Sequence, residues 1–393
     1  IDKEYGAVFA KSEVELNGAK APNGNRDSET NNGDLITDAM VWKILQDKES
    51  LTVDADHVVA VTNGGGIRKA INPGDVTKKN INEVLPFGNT VVTIYITGAE
   101  LLEALEASTY CTPDAIGGFP QVSGINYTIS TAVAYDANAE TYPASTYYGP
   151  KSINRVTINS INGKEFKADD TYAVITNDFC GGGGDTYYAF AAATAKFDTG
   201  IPLDEVVMEY ITAELKGVIG KQYAAPQGRI LMNPFKDVKV SSWFGKYVID
   251  LYNDGIINGT SATTYAPNDT LTWAAALKLL LVSNGDLKAA DATGADWSKN
   301  AIAKAAELGL VAADLDGAKA ISRLEFCQVA AKLNKLAESK TESKFTDCAD
   351  GYVMALVDAK VIDGMTATTF EPDASLTRAQ IAKIIYQLNL IEK

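Results

Sequence analysis

Two phenylalanines stand where a folded core has little use for them. Phe87 lies between proline and glycine in VLPFGNTVV (84–92), and Phe179 precedes four glycines in TNDFCGGGGDTYYAF (176–190). An aromatic ring held at a loop tip suits a flat platform at the edge of a cleft. Asp185, at the end of the glycine run, is placed to accept hydrogen bonds from a ribose or a base. Two arginines supply charge. Arg68 follows a glycine triplet in TNGGGIRKAI (62–71), and Arg26 sits in the polar loop GNRDSETNNGDLITDAM (24–40). A guanidinium is a forked donor matched to phosphate or carboxylate. The triplet Gly64, Gly65 and Gly66 lets a ligand approach the backbone and leaves amides to face an anion or a sugar hydroxyl. Each piece also has a plainer reading, as a solvated loop arginine or a glycine that only turns the chain.

The elements that must position these residues are legible in part. Leu35, Ile36, Ala39, Met40 and Ile44 are spaced for a helix over 34–45. HVVAVTN (57–63) and VVTIYI (91–96) read as strands, and the second runs into TGAELLEALEA, where Thr97 and Glu100 form a capping box that opens a helix. FPQVSGINY (119–127) reads as a loop entering a strand, and TYAVITND (171–178) as another strand ending in Asp178. Asn162-Gly163, between two short strand-like runs, predicts a hairpin. Residues 1–232 are therefore expected to form an α+β domain with a mixed sheet.

Beyond residue 232 the texture changes. NGTSATTYAPNDTLT (258–272) and DGMTATTFEPDASLT (363–377) share a glycine, Ala-Thr-Thr, an aromatic, a proline and Leu-Thr in register, and a diverged copy ends in AISRLEF (320–326). Three units are expected, at 233–288, 289–340 and 341–393, each a helix, a glycine-containing loop and a second helix. Thr377 with Gln380, and Ser322 with Glu325, are capping boxes. The arginine inside each box, Arg378 or Arg323, is expected at an exposed helix N-terminus, where backbone amides also attract anions. The first unit has Trp273 and Ala275 at the corresponding places, which leaves half a cap.

Composition narrows the function. A chain of 393 residues suits two or three domains, and 46% hydrophobic with 22% charged residues is globular. No apolar run reaches the roughly 18 residues needed to cross a bilayer. The net charge of −15 argues against a nucleic-acid polymer as partner and leaves room for a small phosphorylated ligand held by converging arginines. The single histidine, His57, precedes an apolar run and reads as a strand-edge residue. One histidine cannot supply a binuclear metal centre, which draws on several imidazoles. The four cysteines contain no CxxC pair and fall two in each half, so their pairing stays open. A start at Ile1, without methionine or leader, is what a processed or truncated product would have, with any signal peptide upstream.

The segments ETNNGDLITDAM, NGGGIR, VLPFGNT, FPQVSG and NDFCGGGGD, in that order, resemble the C-terminal domain of 5'-nucleotidases and related UDP-sugar and cyclic-nucleotide hydrolases. The resemblance implies that this domain binds the nucleoside part of a substrate, while a separate N-terminal domain carries two divalent metals and performs hydrolysis. It implies that Phe87 and Phe179 sandwich the base, that Asp185 accepts from ribose hydroxyls, and that Asn63 lies toward the phosphate end beside Gly65. Arg26 and Arg68 would hold the phosphate or the ribose side. Asn32, Asp34 and Thr186 depart from the family's pattern, which touches the rim rather than the stacking pair.

The three later units resemble S-layer homology repeats. That implies an all-α pseudo-threefold bundle binding secondary cell-wall polysaccharide, with Trp243, Trp297, Arg323 and Arg378 as its contacts. Together the resemblances imply a nucleotide-recognition part of a phosphoesterase, with no cofactor of its own, exported and held on the bacterial cell surface. A second reading is a non-catalytic surface-layer or interaction protein that reuses the nucleotidase-type domain. A third is a carbohydrate-binding surface protein using the same aromatic platform. Edge strands and tandem repeats permit self-assembly without requiring it.

Overall fold

A computed structural model describes residues 5–134, 140–142 and 150–391. The chain divides into two units, Ile1–Met232 and Asn233–Lys393.

The first unit begins with β1 (Val8–Ser12), α1 (Asn31–Leu45), β2 (Val58–Asn63), β3 (Gly74–Thr77) and α2 (Lys78–Val84). It continues through β4 (Thr90–Thr97), α3 (Gly98–Ser108), β5 (Pro120–Ser123), β6 (Ile125–Ser130), β7 (Val156–Ile161) and β8 (Thr171–Asn177). Two short helices, α4 (Asp178–Gly181) and α5 (Tyr188–Ala191), precede β9 (Ala195–Pro202), α6 (Leu203–Ala213), β10 (Val218–Ile219) and β11 (Ile230–Asn233).

The main sheet has five strands in the order β5-β2-β8-β4-β9. It is mixed: β2 and β8 run parallel, and every other pairing is antiparallel. β2 is buried along its whole length because both faces are covered. Val58 and Ala60 face one core with Leu35, Ile36 and Met40 of α1 and Val206, Val207 and Ile211 of α6. Val59 and Val61 face the other, with Leu101 and Leu105 of α3, Tyr127, Tyr187 and Phe190. Two three-stranded sheets, β10-β1-β3 and β11-β6-β7, flank this layer. The α+β expectation for this unit holds.

Three local expectations change. α1 starts at Asn31, earlier than its apolar spacing suggests, because Thr30 caps it by accepting from the Gly33 amide at 3.1 Å. FPQVSGINY forms two strands split at Gly124, whose φ of 77° is open to glycine. Asn162 and Gly163 do make a turn with positive φ at both residues, yet only Ile161 and Lys164 pair across it. The following run leaves to stack Phe166 on Tyr172, and β7 pairs with β6 instead. The Thr97–Glu100 capping box opens α3 as expected.

The second unit is helical: α7 (Gly245–Asn253), α8 (Trp273–Ser283), α9 (Trp297–Glu307), α10 (Arg323–Leu333), α11 (Gly351–Asp358) and α12 (Arg378–Asn389). These are three successive helix–loop–helix segments. Three short antiparallel bridges link them in a cycle: Thr270 with Thr377, Thr272 with Ala320, and Ser322 with Ser375. Among the described residues no helix is long and apolar enough to cross a membrane. All four cysteines are free thiols.

Candidate functional site

Parallel strands β2 and β8 end side by side, at Asn63 and Asn177, and the loops that leave them build one rim of the sheet. Ligands of open α/β sheets commonly bind outside the carboxyl ends of such strands. The antiparallel neighbours bring their own loops to the same rim, since Asn63 pairs with Pro120 at the start of β5 and Asn177 with Val91 in β4. A cleft of about 460 Å³ opens there, and its lining includes Arg26, Asn63, Gly65, Arg68, Phe87, Phe179 and Asp185. These seven are the residues that the sequence singled out for nucleotide contact. Gly66, Asn89 and Gly117 complete the wall.

Phe87 and Phe179 are 60% and 45% exposed, which leaves both rings open to a ligand. A Cβ on Gly184 would lie 2.5 Å from the Phe179 ring, so glycine there lets the ring settle against the loop backbone. The Arg68 guanidinium sits 5.7 Å from the centre of the Phe87 ring and donates to the Gly65 carbonyl at 3.1 Å.

At the floor, side chains are aimed by a relay. Asn177 caps α4 by accepting from the Cys180 amide at 2.8 Å, and its Nδ2 donates to Asn63 Oδ1 at 3.0 Å. Asn63 in turn donates to Asp185 Oδ2 at 2.8 Å. Burial raises the Asp185 carboxyl above its ordinary value, against the lowering effects of the Asn63 bond and the Arg26 charge. Asn177 was not picked out from the sequence, although an Asn before a short helical turn is a readable N-cap.

The glycine triplet serves a different purpose from the one expected. The Gly64 amide donates to the Phe119 carbonyl at 2.7 Å and the Gly65 amide to the Gly117 carbonyl at 2.7 Å, so these two do not face a ligand. A Cβ on Gly64 would overlap the Asn25 carbonyl oxygen, and one on Gly65 would lie 2.9 Å from the Gly117 oxygen. The close backbone approach is to the protein's own chain. The three departures from the family pattern also lie inside rather than on the rim. Asn32, Asp34 and Thr186 are all buried. Asn32 donates to the Lys69 carbonyl, Thr186 to Ser108, and Asp34 lies 3.4 Å from Arg229.

His57 sits at the opposite end of β2. It bonds Asp56 at 2.6 Å and Asp170 at 3.3 Å and stacks on Tyr172. The Asp56 bond, helped by Asp170 and opposed by burial, raises its pKa. Among the described residues no three of His, Cys, Asp and Glu gather as metal ligands.

In the second unit the helix N-termini depart from expectation. The first two amides of α8 donate to the carbonyls of Lys319 and Gly317, those of α10 to Ala374 and Pro372, and those of α12 to Asp269 and Pro267. The third amide of each goes to its own cap, Thr272, Ser322 or Thr377. The amides that open these three helices are thus taken within the protein and do not face an anion. Both capping boxes of α10 and α12 are complete, and α8 has the half cap expected of it.

The arginines are turned inward. Arg323 is 7% exposed, lies 4.7 Å from the Phe370 ring centre and donates to the Asp363 carbonyl at 2.7 Å. Arg378 lies 4.5 Å from the Tyr265 ring centre and donates to the carbonyls of Tyr265 and Asn258 at 2.7 and 2.9 Å. The expected exposed position of Arg323 is thus corrected: the loop opposite lays an aromatic face and a carbonyl against it. Trp243 is 60% exposed, and Trp297 has the Lys278 amine 5.3 Å from its ring.

Comparison with known proteins agrees with this division. Residues 8–192 match the family described as 5'-nucleotidase, C-terminal domain, and residues 234–276 and 346–382 match the S-layer homology domain. The chain is 37% identical over 207 residues to the trifunctional nucleotide phosphoesterase protein YfkN of Bacillus subtilis, covering 52% of this chain and 12% of that protein. It is 31% identical over 207 residues to the 5'-nucleotidase of Homo sapiens, covering 51% of this chain and 33% of that protein. The chain therefore spans a third or less of the length of these two relatives. Among solved structures, the 5'-nucleotidase precursor of Thermus thermophilus is 31% identical with a TM-score of 0.47, covering 59% of this chain and 40% of that one. This chain carries a 5'-nucleotidase C-terminal domain over residues 8–192, followed by S-layer homology sequence at 234–276 and 346–382.

Proposed function

We propose that the cleft grips the nucleoside part of a phosphorylated substrate in a cell-surface 5'-nucleotidase-type phosphoesterase. The observation that carries this reading is one open cleft bounded by two exposed phenylalanines, two arginines and a buried, pre-aimed carboxylate. A base between Phe87 and Phe179 would gain about 1–3 kcal/mol from stacking, with little dependence on which base it is. Asp185, fixed by Asn63, would accept from the ribose hydroxyls, and Arg26 and Arg68 would neutralise the phosphate end. The names of the matched relatives, a nucleotide phosphoesterase and a 5'-nucleotidase, fit that ligand class. A chain with one histidine lacks the imidazoles that a binuclear centre draws on, and hydrolysis is assigned to a separate metal-bearing domain. Binding without that centre gives affinity without rate.

The test is calorimetric titration of the chain with adenosine and AMP beside Phe87→Ala and Phe179→Ala. Saturable binding, weakened by either substitution by about 1–3 kcal/mol, is the expected result. Absence of binding at millimolar ligand would move the assignment to a structural surface protein that reuses the domain.

The reading extends to the second unit as three repeats, 233–288, 289–340 and 341–393, packed about a pseudo-threefold axis and anchoring the chain to secondary cell-wall polysaccharide. The cyclic bridges and the cyclic amide-to-carbonyl bonds support the threefold arrangement. Exposed Trp243 is the side chain best placed to meet a glycan, with Trp297 as a further contact, while Arg323 and Arg378, bonded to the loops opposite them, hold the helix starts in place. Retention of the chain on isolated cell wall, and its reduction by Trp243→Ala, test this half. Unchanged retention in that variant removes Trp243 from the contact set.

A further inference from the structure

We propose that Asn89 and Asp178 form a strap joining the two phenylalanine loops into one slot, which makes Asn89 a positioning residue for the bound base. The inference rests on the nucleoside reading of the cleft. β4 and β8 run antiparallel, and their register ends at the pair Val91 and Asn177. Past that pair the ladder stops, and the chains continue as the loop carrying Phe87 on one side and the short turn carrying Phe179 on the other.

Neither ring has much packing to fix it. Phe87 is followed by Gly88 at φ 66°, with open space around that residue, and Phe179 rests on the backbone at Gly184. Asn89 is two residues from Phe87, Asp178 adjoins Phe179, and Asn89 Nδ2 donates to Asp178 Oδ1 at 2.6 Å. The Asn89 carbonyl also accepts from the Leu203 amide at 2.8 Å, which roots this end of the strap at the start of α6. Asn89 lines the cleft together with both phenylalanines. The bond crosses between the two loops where the ladder no longer can, and so it sets the separation of the platforms before a ligand arrives. Ordering a site in advance lowers the cost of binding.

The experiment uses the full chain and titrates adenosine and AMP into wild type, Asn89→Ala, Asp178→Ala, the double variant and Asp178→Asn. Each alanine variant is expected to weaken both ligands by the same factor, about three- to tenfold, the range of one ordinary hydrogen bond at an exposed position. The double variant should be no weaker than either single one. Asp178→Asn, whose amide oxygen still accepts, should return most of the affinity. Unchanged affinity in the single variants, multiplying losses in the double, or no rescue by Asp178→Asn would each overturn the strap. Hydrogen exchange over 84–90 and 178–186 without ligand supplies a readout independent of binding. Faster exchange of both segments in Asn89→Ala supports the strap, and exchange unchanged in either overturns it. A wild-type chain that binds no adenosine would remove the nucleoside reading, and the exchange result would still decide the strap.

Discussion

The cleft of the first unit and the ring of helix N-termini in the second are built from the same kinds of part: arginines, small residues at tight turns, and amides at the start of helices. They have opposite fates. In the cleft, the chain's own bonds run through the floor, Asn177 to Asn63 to Asp185, and leave two exposed rings at the opening. In the ring, each helix start is closed by the carbonyls of a neighbouring helix–loop–helix segment, and Arg323 and Arg378 are spent on the aromatic loops opposite. What separates a site from a joint is where the hydrogen bonds go, since the residue types are shared.

Both units bury ionisable groups, and the largest predicted effect concerns Asp34 in the first. Asp34 is fully buried, and its carboxyl is pushed up to about 8 by burial first and by Glu29 second, with Arg229 pulling the other way. The folded state therefore holds this proton more tightly than the unfolded chain, whose value is 3.8. The associated stability is complete below that value and is lost as pH rises through 8. Urea unfolding of the first unit should weaken by about 3 kcal/mol between pH 6 and pH 9, and Asp34→Asn should flatten the profile. A wild-type profile already flat over that range would mean that Arg229 keeps the carboxylate ionised.

Arg323 is the buried charge of the second unit. Arg323→Ala removes a stacked cation and a charged hydrogen bond and should destabilise residues 320–333 by about 2 kcal/mol, read by hydrogen exchange. Cell-wall retention measured on the same variant sharpens the contrast between the regions. Lost retention with unchanged exchange would make the arginine a ligand contact and break the description of the ring as a joint.

What the sequence made legible follows the reach of each interaction. The capping boxes at Thr97, Ser322 and Thr377 are pairs three residues apart, and all three form. The seven cleft residues were recognisable because five ordered segments resemble the C-terminal domain of 5'-nucleotidases, and sheet topology then carries them to one rim. Partners chosen across the fold were invisible. Nothing near Asp34 announces Arg229, and nothing in the glycine triplet announces that its amides meet Gly117 and Phe119. The arginine of a capping box reads as exposed until a loop from another helix–loop–helix segment is laid over it. Asn89 was missed for the same reason, since its partner Asp178 belongs to a different strand end.

A smaller effect tests the cleft from behind. Gly184→Ala would set a methyl 2.5 Å from the Phe179 ring, and the exposed ring is the part that gives way. Adenosine affinity should fall by about 1 kcal/mol, the low end of a stacking contact, with the melting temperature unchanged. An unaltered affinity would show that Phe179 contributes little to the slot.

The smallest effect completes the ring. α8 opens on Thr272, whose hydroxyl accepts from the Ala275 amide at 3.4 Å, the longest of the three cap bonds. In α10 and α12 the residue at this place, Glu325 or Gln380, reaches back to the cap amide at 2.9 Å, while alanine has nothing to return. Ala275 is only half-buried, so a longer side chain has room to project. Ala275→Glu should therefore satisfy the Thr272 amide and add negative charge beside a helix N-terminus, for a gain of about 0.5–1 kcal/mol in thermal unfolding. Ala275→Gln should give the smaller part of that gain, because it supplies the bond without the charge. If neither variant stabilises, Trp273 and its bond to the Lys319 carbonyl already hold the start of α8 as firmly as a full capping box would.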